Sequence, residues 1–368
     1  MKILFLCNSL IGGGAEKLLS ELLPRFVQEG MECDLLLLSN ENEKYYSSIN
    51  EGGANIYIVP KNKKTHLSKI FYIKHFIENG KYDLIHANLF PMFYYASLAK
   101  MFSFKKNFPI LCMTEHSTSN KRRKYGALRL VEKLVYSKYK RIICISDGTR
   151  ASLEKWLKSK AISKNIVTIN NGIDVDYIVS TKSIGKNEII VSNCQNSILL
   201  CMVGSFTKQK NHSFALEVLS KLPNNYYLLL LGEGELKNNI LNLIESLGLD
   251  NRVFVFGFQS NPYQYIKASD IMIIPSLWEG FGLVAAEGMA CQKPIVCSNV
   301  DGLRDVVGSA GITCDLNVEE FKNAILYLSG NNVCEKFVVD IAEVEKKYSI
   351  NTMTKGYLSL FSELIDNK

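Results

Sequence analysis

Pro275–Ser276–Leu277–Trp278–Glu279–Gly280–Phe281–Gly282–Leu283–Val284–Ala285–Ala286–Glu287 sets two carboxylates, Glu279 and Glu287, eight positions apart around a Gly–Phe–Gly turn. The apolar run Ile271–Ile274 leads in as a buried strand, and the small residues Val284–Ala290 lead out as a helix. Gly280, Phe281, Gly282 and Leu283 therefore form a strand-to-helix turn. Such a turn exposes unpaired backbone N–H groups at the positive end of a helix, where a diphosphate binds well. Glu287, two turns into the helix, can accept hydrogen bonds from paired ribose hydroxyls, and Glu279 on the loop can face a sugar beyond the phosphates.

Outward from this stretch the chain alternates apolar runs with amphipathic ones. Ile3–Cys7, Glu32–Leu38, Leu84–Ala87, Ile110–Thr114 and Ile142–Ile145 read as strands separated by helical stretches. After the polar segment Ser180–Ser197 the rhythm restarts with Ile198–Val203, Tyr226–Leu231, Val253–Phe256, Ile271–Ile274, Ile295–Cys297 and Gly311–Thr313. This is the pattern of parallel α/β sheets, predicting two doubly wound domains whose ligands collect at the carboxyl ends of strands. A last helical stretch, Tyr348–Ile365, has apolar positions at helical spacing.

The 368 residues, 47% of them hydrophobic, suffice for two cores. Ten cysteines form no Cys-x-x-Cys pair and sit mostly in apolar runs, which suits reduced core residues in a cytosolic protein rather than a zinc or disulfide framework. Lys2–Cys7 reads as a first strand, too short for a signal-peptide core, and no apolar run approaches the ~20 residues that span a bilayer. The net charge of +7 is uneven: residues 1–178 carry +11 and residues 179–368 carry −4. Basic density peaks in Lys100–Arg150, with Lys105, Lys106, Lys121–Lys124, Arg129, Lys133, Lys138, Lys140 and Arg141 interleaved with Met101, Phe102, Phe104 and Phe108. That cluster is expected to face an anionic membrane surface or to be a solvated face; no nucleic-acid-binding motif accompanies it.

Four shorter motifs follow strands. Gly12–Gly13–Gly14–Ala15–Glu16 opens a helix after the first strand and is neither a Walker loop nor a complete dinucleotide fingerprint. His116 in Thr114–Glu115–His116–Ser117 ends a buried-type strand. Gly204–Ser205–Phe206–Thr207–Lys208–Gln209–Lys210–Asn211–His212 follows the first strand of the second half. Asn170–Asn171–Gly172–Ile173–Asp174 is a turn sequence by its chemistry.

Glu-x7-Glu, preceded by Pro275–Ser276 and followed by Gly288–Met289–Ala290–Cys291–Gln292–Lys293–Pro294–Ile295–Val296, resembles the signature of the retaining glycosyltransferases of family 4. This is a large GT-B group that includes many bacterial polysaccharide and lipid-glycan enzymes. The resemblance is strongest over Val203–Leu303 and weaker at Leu10–Glu16 and Asn170–Asp174. It implies a GT-B architecture of two doubly wound, Rossmann-like domains facing across a cleft: residues 1–178 on the acceptor side and 198–347 binding the nucleotide-sugar, with helix 348–368 returning to the first.

The resemblance also assigns roles. Lys210 neutralises the donor diphosphate, and the backbone around Gly282 and Leu283 assists it. Glu279 binds the donor sugar, Glu287 the ribose, and His116 points at the sugar near the reacting carbon. Gly13 and Gly14 lie near the donor phosphate and acceptor, Gly234 beside the nucleotide, and Gly257–Phe258 where the base is held. The family's Gly-Arg pair is Gly204–Ser205 here, so one phosphate partner is missing and Lys208 is the candidate to replace it. The expected reaction is transfer from a nucleoside-diphosphate sugar, UDP-sugar favoured, to a hydroxyl of a lipid-linked saccharide, with no metal or other cofactor and at the inner face of the cell membrane. A GT-B nucleotide-sugar epimerase and an inactive scaffold subunit of a glycan-assembly complex are the rival readings.

Overall fold

The computed structural model describes residues 1–11, 13–39, 45–118, 120–190, 196–330, 334–337 and 340–367. Gly12, Cys194 and part of the polar segment at 180–197 fall outside the described residues, as do the side chains of Lys121 and Cys334. The chain divides into two compact units, residues 1–172 with 350–368, and residues 173–349.

The first unit is built on seven parallel strands: β1 (Lys2–Cys7), β2 (Glu32–Leu37), β3 (Asn55–Ile58), β4 (Leu84–Asn88), β5 (Ile110–Glu115), β6 (Arg141–Cys144) and β7 (Ile166–Thr168). They lie in the order β3-β2-β1-β4-β5-β6-β7. The central strands are buried almost along their whole length because helices cover both faces of a parallel sheet, so β1 is apolar from Ile3 to Cys7 and even the polar His86 and Asn88 of β4 are buried. Helix Gly14–Gln28 buries Leu18, Leu19, Leu22, Leu23 and Phe26, the three- and four-residue spacing that keeps one helical face on a sheet. Helix Ile350–Asp366 joins this unit: Tyr357 and Phe361 pack on Phe26 and His86, and the Tyr357 hydroxyl lies 3.0 Å from Thr114 Oγ1.

The second unit has six parallel strands: β8 (Ile198–Val203), β9 (Tyr226–Leu231), β10 (Val253–Val255), β11 (Ile271–Ile274), β12 (Ile295–Ser298) and β13 (Gly311–Cys314), in the order β10-β9-β8-β11-β12-β13. Both sheets reverse their winding beside their first strand, between β1 and β4 and between β8 and β11. Loops that leave the carboxyl ends at such a switch diverge and open a crevice, so ligand sites belong there.

Residues 173–189, which read from the sequence as the close of the first domain and a linker, pack into the second unit. Lys186 Nζ bonds both Asp270 carboxylate oxygens at 2.7 and 2.6 Å, and Lys267 Nζ reaches the Val179 and Thr181 carbonyls at 2.8 and 2.7 Å. The eight cysteines described are buried and unbridged, and burial pushes the Cys7 thiol up to about 12, away from thiolate chemistry. Among the described residues no helix is long and apolar enough to cross a membrane.

Candidate active site

The β8–β11 switch gathers most of the residues singled out from the sequence. The loop after β11 carries Glu279 into a buried position where its carboxylate meets three donors. Lys210 Nζ lies 2.5 Å from Oε1, Ser276 Oγ donates to the same oxygen at 2.9 Å, and Gln209 Nε2 reaches Oε2 at 3.5 Å. Gln209 also ties the two loops together, donating from its side chain to the Trp278 carbonyl at 2.9 Å and accepting from the Leu277 N–H at 2.8 Å. The Lys210 stem crosses Gly204 so closely that a Cβ there would stand 3.1 Å from Lys210 Cγ.

The chain then turns through Gly282, left-handed at φ +85°, into helix Leu283–Ala290. Gly282 brings no side chain to cap the helix. The Ala285 N–H donates to the Gly282 carbonyl at 2.8 Å, and the Leu283 and Val284 N–H groups that precede it are the ones available to an anion. Phe281 is buried against Tyr348. One helical turn on, Glu287 is buried and accepts from the Tyr263 hydroxyl at 3.1 Å. The loop after β8 thus supplies an ammonium, and the loop and helix after β11 supply a helix amino terminus and two buried carboxylates.

The glycine loop after β9 is fastened to the loop after β8. Phe206 N–H donates to the Glu233 carbonyl at 2.9 Å, and the Phe206 carbonyl accepts from the Leu236 N–H at 3.0 Å, which holds Gly234 against Phe206. Ser205 is exposed on the same rim, and Phe258 stands exposed after β10. Gln209, Ser276 and Tyr263 were not singled out as site residues from the sequence. Ser276 and Gln209 adjoin residues that were, whereas nothing local marks Tyr263.

Gly13, Gly14 and His116 belong to the first unit. Gly13 is the extended residue before helix Gly14–Gln28 and brings no side chain to cap it; the Glu16 carboxylate accepts from the Gly13 and Glu16 backbone N–H groups instead. His116 follows β5, with Nε2 3.2 Å from Asn88 Oδ1 at the end of β4. Asn88 Nδ2 and Asn8 Oδ1 are buried without hydrogen-bond partners, leaving polar capacity at the β1–β4 switch. Glu115 turns the other way, accepting from the Tyr136 hydroxyl at 2.5 Å and lying 3.6 Å from Arg123, which makes it a structural carboxylate.

Burial holds His116 and His212 down to about 4 and His86 down to about 3, so all three imidazoles are neutral at pH 7. In the unfolded chain they protonate near 6.5, so between that pH and the folded values the unfolded state binds more protons. Stability is therefore fully present above pH 6.5 and falls as pH drops through the window. At pH 5 each imidazole is expected to remove about 2 kcal/mol relative to pH 7.5. Urea midpoints at the two pH values measure this, and equal midpoints would contradict it.

Within the basic run Lys121–Lys124, expected to face an anionic surface or solvent, Arg122 and Arg123 turn inward and Lys124 is exposed. Arg122 Nε donates to Glu132 Oε1 at 2.8 Å, with its guanidinium 4.5 Å from the Phe90 ring centre. Arg123 donates to the Thr118 carbonyl and Ser152 Oγ, both at 2.8 Å. The cause is that Glu132 and Glu115 are buried carboxylates that need cationic partners. Lys100 reaches the Lys138 carbonyl at 3.3 Å, and Phe108 packs on the core.

An α/β chain with two parallel sheets of this order has the GT-B architecture. Residues 12–177 match the family "Glycosyltransferase Family 4", and residues 186–344 match "Glycosyl transferases group 1". The N-acetylgalactosamine-N,N'-diacetylbacillosaminyl-diphospho-undecaprenol 4-alpha-N-acetylgalactosaminyltransferase of Campylobacter jejuni is 29% identical, over 82% of this chain and 81% of its own. The Escherichia coli UDP-Gal:alpha-D-GlcNAc-diphosphoundecaprenol alpha-1,3-galactosyltransferase is 25% identical, over 70% and 69%. Among solved structures, Anabaena Alr3699/HepE in complex with UDP and glucose superposes with a TM-score of 0.85 at 18% identity, covering 99% of this chain and all of that one. The chain belongs to the family 4 glycosyltransferases and is related to enzymes that extend lipid-linked saccharides in polysaccharide synthesis.

Proposed function

We propose that the protein transfers a sugar, with retention at the anomeric carbon, from a UDP-sugar to a hydroxyl of a saccharide linked to a polyprenyl diphosphate, at the cytoplasmic face of the membrane. The observation that carries this reading is the Lys210–Glu279 pair set 2.5 Å apart beside the open amino terminus of helix Leu283–Ala290. The anomeric C–O bond to the diphosphate breaks, and a bond to the acceptor oxygen forms on the same face. The acceptor proton passes to an oxygen of the leaving diphosphate. Lys210 and the helix N–H groups stabilise the charge that builds on that diphosphate, the preorganised electrostatic contribution that usually dominates such catalysis. They supply the counter-charge, so the reaction proceeds without a metal ion and persists in EDTA.

Binding of the diphosphate draws Lys210 off Glu279 and frees that carboxylate for the donor sugar hydroxyls. Glu287 holds the ribose. His116, neutral and oriented by Asn88, contributes a hydrogen bond rather than a charge. The lipid-linked acceptor and the UDP donor are favoured because the Campylobacter and Escherichia coli relatives act on diphospho-undecaprenol saccharides and the Anabaena structure holds UDP.

The test is product mass and anomeric configuration with UDP- and GDP-sugars and polyprenyl-diphosphate saccharides. Acceptor-dependent transfer with an α-linked product from an α-linked donor supports the reading; an inverted product or donor turnover without acceptor overturns it. Glu287→Ala is expected to raise the donor KM about 10–100-fold with a smaller change in kcat, the cost of a lost charged hydrogen-bond acceptor. An unchanged KM would remove Glu287 from the ribose site.

A further inference from the structure

A cavity of about 310 Å³ opens in the first unit at the amino-terminal ends of its strands, the end opposite Gly13, Asn88 and His116. One side-chain row of the sheet forms its floor. Lys2 opens β1, Asp34 interrupts the apolar run of β2, and Tyr57 lies on the edge strand β3 two positions beyond Asn55, the residue paired with Asp34. The last turns of helix His66–Asn79 form its wall, where the Phe76 ring stands edge-on to Tyr57 at 5.0 Å between centres, beside Tyr72 at 6.2 Å and stacked on Tyr82 at 6.3 Å. Tyr57 is 40% exposed, and neither its hydroxyl nor that of Tyr72 has a hydrogen-bond partner among the described residues. Asp34 is buried and bonded inward, accepting from the Asn55 side chain at 2.8 Å and the Tyr82 hydroxyl at 2.7 Å. Lys2 Nζ stands 3.7 Å from Asp34 and 5.1 Å from the Tyr82 ring centre. At the rim the Asn79 and His75 side chains bond each other at 2.9 Å.

We propose that this cavity is a second saccharide-binding site, separate from the transfer chemistry, that takes one or two uncharged sugar rings. Charge and shape select the occupant. Lys2 already fills the cationic place over Tyr82, so an ammonium ligand would meet a like charge. An anion would face the Asp34 carboxylate and the negative carboxyl end of helix His66–Asn79. An aliphatic ligand would bury the Lys2 ammonium, the Asn79 amide and two phenol hydroxyls without giving them partners. A pyranose answers both halves of the lining: its C–H face lies on the Tyr57 and Tyr72 rings, and its hydroxyls reach Lys2, Asn79 and the free phenols. The volume sits at the lower end of the ~300–1,000 Å³ of small-molecule sites, which suits one or two rings better than a longer chain. Six residues of β1 put roughly 20 Å of strand between Lys2 and the loop that carries Gly13, so a sugar held here is not the one that reacts. Such a site keeps a non-reacting saccharide on the enzyme and raises its local concentration. That use rests on the reaction proposed above, but the binding does not.

The experiment is saturation-transfer difference NMR on the intact protein, irradiating its aromatic protons, with the methyl glycosides of glucose, galactose, N-acetylglucosamine and N-acetylgalactosamine and with UDP in excess. The expected result is saturation of the ring C–H protons of at least one glycoside. Tyr57→Ala/Tyr72→Ala should weaken that binding at least about tenfold, the loss of two ring contacts. His75→Ala/Asn79→Ala, on the exposed end of the helix, should weaken it about threefold or more while keeping the parent's unfolding temperature. Glu279→Gln should leave it unchanged, and both double variants should keep donor-dependent UDP release. Failure of every glycoside to bind, binding that survives both double substitutions, or binding lost in Glu279→Gln overturns the proposal. A preference for tetramethylammonium, or for the planar heteroaromatic caffeine, over every glycoside would also overturn it, by showing a cation cage or a stacking slot instead. Loss of transferase activity with glycoside binding intact would count against the proposed reaction and leave the second site standing.

Discussion

Replacing Lys210 by alanine is expected to lower kcat/KM by about 10²–10³-fold, the usual effect of removing one preorganised group from a developing negative charge. The geometry sets this scale. The ammonium lies 2.5 Å from Glu279, its stem is held flat across Gly204, and a helix amino terminus opens beside it. Once the ammonium has left Glu279 for the diphosphate its stem still lies against Gly204, so it does little further reorganising when the leaving diphosphate gains charge. Glu279→Gln is expected to cost a comparable factor, because it replaces the charged acceptor proposed for the sugar hydroxyls with a neutral amide and removes the charge that pairs with Lys210 at rest. The double variant should be far less impaired than the product of the two single effects, since the pair acts as a unit. Stability should move by about 1–3 kcal/mol, because the buried Glu279 loses its cation but keeps Ser276 and Gln209 as donors. Steady-state kinetics of the four proteins, with thermal unfolding as a control, decide the matter. A Lys210→Ala enzyme within threefold of the parent would remove the lysine from the diphosphate site.

Much of this site was legible because its chemistry is local in sequence. The strand Ile271–Ile274, the turn at Gly282 and the helix carrying Glu287 follow one another without interruption, and Lys210 lies a few residues beyond β8. The sheets were legible for the same reason: a strand buried on both faces reads as a mostly apolar run, as in Ile3–Cys7 of β1, β8 and β9. The edge strand β3 was not, because its four residues alternate between exposed and half-buried and form no continuous apolar run. Tyr263 could not be assigned to Glu287 from sequence, since the pair spans 24 positions and two separate elements. The direction of Arg122 and Arg123 was hidden for a related reason. A count of charges does not say which carboxylates are buried, and it is the burial of Glu132 and Glu115 that draws those guanidinium groups inward.

The loop that carries Glu279 is positioned from below by a residue with no functional group, and Gly302→Ala is expected to show it. A Cβ at Gly302 would lie 2.7 Å from the Glu279 carbonyl oxygen and 2.9 Å from the Gly280 carbonyl carbon. Both are backbone atoms, so relief requires the loop to move relative to helix Asp301–Val307. The adjoining contact is equally close: a Cβ on Gly282 would meet Leu303 Cδ2 at 2.6 Å, on a backbone already at φ +85°. The loop therefore cannot move toward Gly282 without disturbing the start of the helix that bears Glu287. Overpacking of this kind costs about 1–3 kcal/mol, and a displacement near 1 Å at a reacting group costs about 10²-fold in rate. Gly302→Ala should accordingly fold, unfold a few degrees earlier and lose about 10²-fold in kcat/KM. Gly308→Ala, just beyond the other end of the same helix, is the matched control: φ is +47° there but no atom lies within 4 Å of the added carbon, so it should lower stability and leave kcat/KM unchanged. If Gly302→Ala kept full activity, the position of Glu279 would not depend on that close contact, and the binding of the loop to Gln209 and Ser276 would have to hold the carboxylate unaided.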